Sequence, residues 1–400
     1  MDKKYLLGTT SLVAATVLAG GNALAEAQPL NIQLSGFYNF DVHLYSEDQE
    51  GGNDNHGMVT AQDAEVNFNM RGELDNGMKI GGRIELEGSN NGDQIDQQWI
   101  TLEAGWGRID LGGVNSGRYN WSWGVNAPNV AHGISSGVQT EWLTINGGLI
   151  GFMFRRPLGS ANNDASNDDQ GIHYYSPNFS GFQFALSYRP SVSTTQGGGG
   201  GSENIGQINE NTNYHDAMDL GLRYSGDMGG VGVTAMVGYA TAAAPNNANN
   251  GLSNGGGASA IAAFDDYELI SGGIRLSYEG FRIGGMFADV SEGFCVDGGD
   301  ADCADTTDRS TEGSAYTFGV SYGQGPWAVS AQVHSGGVED AIGISGDSEL
   351  DVWSVGASYT LGPGLRVIAS YQDAELDNED NLAASGNEGD SFSIGLAAGF

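Results

Sequence analysis

The chain has 400 residues, 50 acidic and 15 basic, for a formal net charge of −35. Phosphate binding needs clustered Lys and Arg, so this balance excludes a nucleic-acid partner. Glycine is abundant at 66 residues, yet there is no G-X-Y period and proline numbers only 8, which excludes collagen and argues against simple disorder.

The chain opens with Lys3 and Lys4, then an apolar run from Leu6 to Ala19, then Ala23-Leu24-Ala25 as a small-residue cleavage site. These are the parts of a secretory signal peptide, so residues 1–25 are expected to be removed and residues 26–400 to form the mature protein. An uncleaved N-terminal anchor is the alternative. Loss of two lysines and one aspartate leaves a net charge of about −36. The remainder has no run of 18 apolar residues, so no spanning helix is expected.

From there the chain alternates. Val66, Phe68 and Met70 interleave with Asn67, Asn69 and Arg71; Phe182, Phe184, Leu186 and Tyr188 with Gln183, Ala185, Ser187 and Arg189. Similar rows run through Tyr316 to Tyr322 and Phe392 to Phe400. Period two specifies strands with one apolar face. The rows often end in Tyr, Phe or Trp beside a turn, the arrangement of a membrane barrel's aromatic girdle. Strands are expected near 31–45, 60–74, 78–88, 95–104, 107–113, 170–177, 181–190, 214–226, 229–241, 266–279, 281–291, 313–322, 326–336, 350–361, 365–375 and 390–400. Many match the roughly 9–11 residues of a transmembrane strand better than the roughly 5–6 of a sandwich strand.

Tight connections (Asp75-Asn76-Gly77, Gly105-Trp106, Asn178-Phe179-Ser180, Asp227-Met228, Gly280, Gly323-Gln324-Gly325, Leu361-Gly362-Pro363-Gly364) alternate with long ones. Short turns on one side and long loops on the other mark an outer-membrane barrel, and an even strand count lets it close. The expected fold is therefore all-β, a 16-stranded antiparallel transmembrane β-barrel. Strand parity makes 114–169 a single connection on the long-loop side. Ile150 to Arg156 looks like a strand, but a seventeenth span would break the alternation, so it is assigned to the loop.

These features resemble the Gram-negative general porins, especially the alpha-proteobacterial type. The sharper pieces are Leu34-Ser35-Gly36-Phe37-Tyr38, Ser116-Gly117-Arg118-Tyr119, the stretch from Tyr175 to Phe182, and the last alternating strand ending in Phe400. The resemblance implies a homotrimer in the cell outer membrane and a third loop, about 114–169 here, folded into the lumen. It implies that Phe400 is an assembly signal read by the outer-membrane insertion machinery. The other expected partners are outer-membrane lipid, lipopolysaccharide and small hydrophilic solutes.

The long loop carries Glu141, Asp164, Asp168 and Asp169 as candidate acids of a pore constriction. Strand parity points Arg71, Arg83, Arg108, Arg223, Arg275 and Arg366 inward as a basic wall; Arg71 and Arg83 flank one tight turn and are expected to be near neighbours. Facing acidic and basic walls make a transverse field that favours polar solutes. Each charge, taken alone, is equally a solvated lumen residue.

Cys295 and Cys303 share one Asp/Gly-rich segment and either form a disulfide or remain two thiols. Acids at 297, 300, 302, 305 and 308 permit weak calcium binding by an external loop, but the spacing does not fit an EF-hand. No cofactor is otherwise implied. The six histidines are scattered, and His334 with Ser335 is the one suggestive catalytic pair, so no enzyme is expected. The expected function is passive diffusion of small hydrophilic solutes and ions, with a cation preference from the acidic total. A substrate-selective channel is the alternative, with Trp99 and Tyr175 as the inward aromatics. A structural or adhesive barrel without an open pore is another.

Overall fold

Strands form where the alternating runs stand. The computed structural model describes residues 27–49, 54–88, 95–131, 143, 169–192, 214–243, 266–292, 313–339, 347–378 and 386–400. These residues form β1 (Gln28–Gln49), β2 (His56–Glu73), β3 (Lys79–Glu87), β4 (Ile95–Ala104), β5 (Gly107–Gly113) and a single helix, α1 (Gly117–Val125). Then come β6 (Gln170–Tyr175), β7 (Phe182–Val192), β8 (Tyr214–Met228), β9 (Val231–Ala243), β10 (Tyr267–Tyr278) and β11 (Phe281–Glu292). The series ends with β12 (Gly313–Gln324), β13 (Trp327–Glu339), β14 (Asp347–Gly362), β15 (Leu365–Asn378) and β16 (Asn387–Gly399). Every strand pairs with its sequence neighbours, and β1 pairs antiparallel with β16, so the sheet closes into a barrel. The cleavage site at Ala25, the apparent strand at 150–156 and both cysteines lie outside the described residues.

Several strands exceed their expected ends at the long-loop side. β1 runs to Gln49 rather than 45, and β15 to Asn378 rather than 375. Ser46-Glu47-Asp48-Gln49 lacks an apolar row, which is why it reads as loop. Its backbone nevertheless pairs with residues 387–390 of β16. Beyond the hydrocarbon a strand needs ladder hydrogen bonds but no apolar face. At this end of the barrel acids stand opposite acids: Glu349 faces Asp377, Asp351 faces Glu375, Glu375 faces Glu388, and Asp373 faces Asp390.

The tight turns use left-handed backbone. Glu279 (φ 46°) and Gly280 (φ 87°) alone join β10 to β11. Both central residues at positive φ is the two-residue turn whose twist matches that of its strands. The turn expected at Asp227-Met228 falls at Gly229 and Gly230 (φ 68° and 92°), because two glycines take positive φ without a Cβ clash. Asp227 Oδ1 accepts the Gly230 N–H at 2.9 Å.

Each strand shows two rows. One is apolar and exposed, as in Ile32, Leu34, Leu220, Leu222, Phe318, Val320, Ile394 and Leu396. The alternate row is largely polar and buried, as in Asp41, Asn67, Asp110, His173, Asp219, Thr317, Gln332 and Ser393. Cross-strand ring pairs edge the apolar row near the tight turns: Phe182–Tyr224 at 4.8 Å, Phe281–Tyr322 at 4.4 Å and Trp327–Tyr359 at 4.4 Å between centroids. Phe400 extends the closing ladder, exchanging backbone hydrogen bonds with Gly36 at 2.9 and 3.0 Å. A Cβ on Gly36 would fall 2.8 Å from Phe400 Cζ, so the ring covers that glycine.

Candidate functional site

The chain leaves β5 at Gly113 and, over residues 114–131, runs along the polar row. Ser116 caps α1: its Oγ accepts the Tyr119 N–H at 3.1 Å and donates to Asp219 Oδ2 on β8 at 2.8 Å. A Ser N-cap satisfies one of the helix's orphan donors. Arg118 Nε meets the same Asp219 oxygen at 2.9 Å, and both side chains are almost wholly buried. Arg118 Nη1 also reaches Ser271 Oγ on β10 at 3.3 Å.

Two apolar clusters seat the helix. Tyr119 and Val125 pack with Met236 of β9 and Met286 of β11, and Trp121 packs with Tyr175 of β6 and Ala185 of β7. After the helix, Arg275 Nη2 of β10 donates to the carbonyls of Trp123 (3.2 Å) and Asn126 (2.5 Å). A cation there complements the negative end of the helix. Gln332 Nε2 donates to the Ala127 carbonyl at 2.8 Å, and Val130 N–H to Ser330 Oγ at 3.2 Å, both on β13.

Glycines permit this close approach. A Cβ on Gly238 would stand 2.3 Å from Arg118 Cγ, and one on Gly273 would stand 2.7 Å from Val125 Cγ2. Gly221, Gly319 and Gly356 would likewise meet Arg118, Ala127 and Ala131 at 3.1 Å. The wall under the segment is thus kept bare of side chains at five positions on five strands.

The six candidate arginines separate into three groups. Arg83, Arg108 and Arg223 line one cavity of about 740 Å³ together with Glu85 and Glu103. Each lies over an aromatic ring: Arg83 over Trp99 at 5.5 Å, Arg108 over Tyr175 at 5.0 Å, Arg223 over Trp121 at 4.9 Å. Each also has a polar partner. Arg83 bonds Asn69 Oδ1 and Glu85 Oε1 at 2.9 Å, Arg108 grips both oxygens of Asp110, and Arg223 bonds Gln183 Oε1 at 2.6 Å. Arg275 is spent on the α1 carbonyls. Arg71 and Arg366 are exposed, and Arg366 sits just after the turn at Pro363-Gly364. Arg71 and Arg83 are diagonal neighbours on the β2–β3 ladder, since Arg71 faces Gly81 and Arg83 faces Asn69.

Of the candidate acids, Glu141, Asp164 and Asp168 lie outside the described residues. Asp169 is half-buried, and its backbone carbonyl accepts Arg189 Nε at 3.1 Å. Arg189 Nη2 also donates to the Val114 carbonyl at 2.7 Å, so this buried arginine ties together both ends of the long connection. Arg118, Arg189 and Asp219, which hold the segment in place, are candidate site residues that the sequence reading left out. Parity does point Arg189 and Asp219 inward, but only packing reveals their partners.

A model of Gram-negative porins matches residues 10–381. No curated protein matches the chain. Among solved structures, the Salmonella typhi OmpF complex with daunomycin aligns with 93% of this chain and 98% of its own, at 16% identity and TM-score 0.59. The anion-selective porin of Comamonas acidovorans aligns over 93% and 100%, at 14% identity and TM-score 0.54. The trimer form of OmpT, an outer membrane protein of Vibrio cholerae, aligns over 93% and 99%, at 11% identity and TM-score 0.52. A closed sixteen-strand ring, an exposed apolar row, a buried polar one and a family match across most of the chain coincide: the chain belongs to the Gram-negative porin family and is a channel of the outer membrane.

Proposed function

We propose that the barrel is a passive diffusion channel for small hydrophilic solutes and ions, and that residues 114–131 narrow it. In an outer membrane the apolar row faces lipid and the polar row faces the lumen. The observation that carries this reading is the fastening of 114–131 to that polar row by Arg118–Asp219, Arg275 and Gln332. Stepwise single-channel conductance in a planar bilayer tests it. Purified barrel that inserts without conductance steps would favour the structural or adhesive alternative.

Cation preference follows from the net charge of −35. The anion selectivity named for the Comamonas porin does not transfer at 14% identity. The substrate-selective alternative would use bare inward aromatics. Here Trp99 and Tyr175 carry guanidinium groups on their faces, which favours the general channel.

A channel rather than an enzyme is also supported by the histidines. His334 and Ser335 are successive strand residues and point to opposite faces. Asp110, His173 and Ser187 are cross-strand neighbours, with His173 Nδ1 and Ser187 Oγ 2.9 Å apart. All three are buried, and the Asp110 carboxylate is engaged by Arg108 and Thr101. Nucleophilic catalysis needs an accessible nucleophile with an oriented base.

The mature protein is read as a homotrimer that starts after Ala25, with Phe400 as the signal for the insertion machinery and the apolar row against lipid and lipopolysaccharide. The OmpT trimer form supports the oligomer, and the Phe400–Gly36 ladder gives Phe400 a place in closure. N-terminal sequencing of outer-membrane material should find Glu26 first.

A further inference from the structure

Three carboxylates meet on the polar row of β2, β3 and β4. Glu65 and Glu87 stand directly opposite in the β2–β3 ladder. Like charges in that relation destabilise a sheet. Asp96 joins them through a slip in the β3–β4 register between the pairs Ile84–Gln98 and Leu86–Ile95. The slip gives β4 an extra residue, the β-bulge device that re-aims a side chain. Carboxylate oxygens of Glu65, Glu87 and Asp96 all lie within 4.8 Å of one another, at half-buried positions. Two oxygens on opposite sides of a calcium ion, each bonded at about 2.3–2.6 Å, stand about that far apart.

A second observation comes from Asn67, next along the same row. It is 7% exposed, and its Nδ2 donates to Glu65 Oε1 at 2.7 Å. Among the described residues its Oδ1 is buried and meets no hydrogen-bond donor. A buried acceptor left unmet costs free energy and calls for a partner. That oxygen belongs to the same carboxamide that touches Glu65, and a carboxamide oxygen is a calcium ligand. The nearby Arg83 guanidinium is turned to Glu85 and Asn69.

We propose that Glu65, Glu87 and Asp96, with the Asn67 carboxamide oxygen, bind one hard divalent cation of calcium's size, water completing its shell. The bulge at Asp96 makes the site, and the site does not require an open pore.

Calorimetric titration of calcium into the EDTA-stripped, detergent-folded mature protein tests this. The wild type should show one saturable site per chain. Glu65→Gln and Asp96→Asn should each weaken it at least tenfold, while Asp351→Asn on β14 leaves it unchanged. Both amide variants relieve like-charge crowding and should fold without calcium, as judged by circular dichroism. Calcium should raise the thermal midpoint of the wild type and of Asp351→Asn, but of neither cluster variant. Absence of a saturable wild-type site, or equal affinity and stoichiometry in wild type and both cluster variants, would overturn the proposal.

Discussion

Arg118 is fully buried, and Asp219 is the carboxylate that meets it, 101 positions along the chain. Removing one partner of such a pair costs about 3–5 kcal/mol, because the other charge stays in a poorly solvated place. Asp219→Asn should therefore release α1 rather than leave Arg118 buried. Single-channel records should show larger and noisier steps than wild type. Gly238→Val should act in the same direction without altering any charge, since its Cβ would collide with Arg118 Cγ. If both variants conduct as wild type does, residues 114–131 do not set the pore. Parity singles out Arg83, Arg108 and Arg223, which share one cavity. It was silent on Trp99, Tyr175 and Trp121 beneath them, because those contacts join strands and the helix by packing rather than by spacing.

At the scale of elements, sixteen strands were legible because a lipid-facing row must be apolar and its neighbour row need not be. The extended ends of β1 and β15 were not legible, since ladder pairing beyond the hydrocarbon leaves no hydropathy signature. Nor was α1. Its nine residues include three aromatics and two glycines, a composition with poor intrinsic helicity. A segment that short is helical through its cap and packing, not its propensity. Most tight turns were read close to their place, but those expected at Asp227-Met228, Asn178-Phe179-Ser180 and Gly323-Gln324-Gly325 fall one or two residues later, at Gly229-Gly230, Ser180-Gly181 and Gly325-Pro326. Gly280→Val would force a β-branched residue to φ 87° in a two-residue turn. The cost of left-handed backbone, roughly 1–2 kcal/mol, should lower the denaturant midpoint of refolded barrel without changing single-channel conductance.

For the whole molecule, charge and closure act together. On the proposed reading, a chain with 50 acids and 15 bases would surround its permeating ions with negative potential. In a tenfold KCl gradient the reversal potential should carry the sign of potassium selectivity, and the selectivity should shrink as salt rises, because the Debye length falls from about 30 Å at 0.01 M to about 3 Å at 1 M. A chloride-selective reading would end that part of the proposal.

The acids that face acids at the tops of β14, β15 and β16 bear on the water in which this barrel can live. Each such pair pushes its two strands apart, and dissolved ions soften the push. In dilute water that rim should fray; in brine it should zip closed. Amide hydrogen exchange at Asp373 and Glu375 should therefore be faster at 10 mM than at 500 mM salt, while exchange at the ladder beneath, around Val367 and Leu396, stays the same. Salt in the medium thus acts as part of the rim's own cohesion.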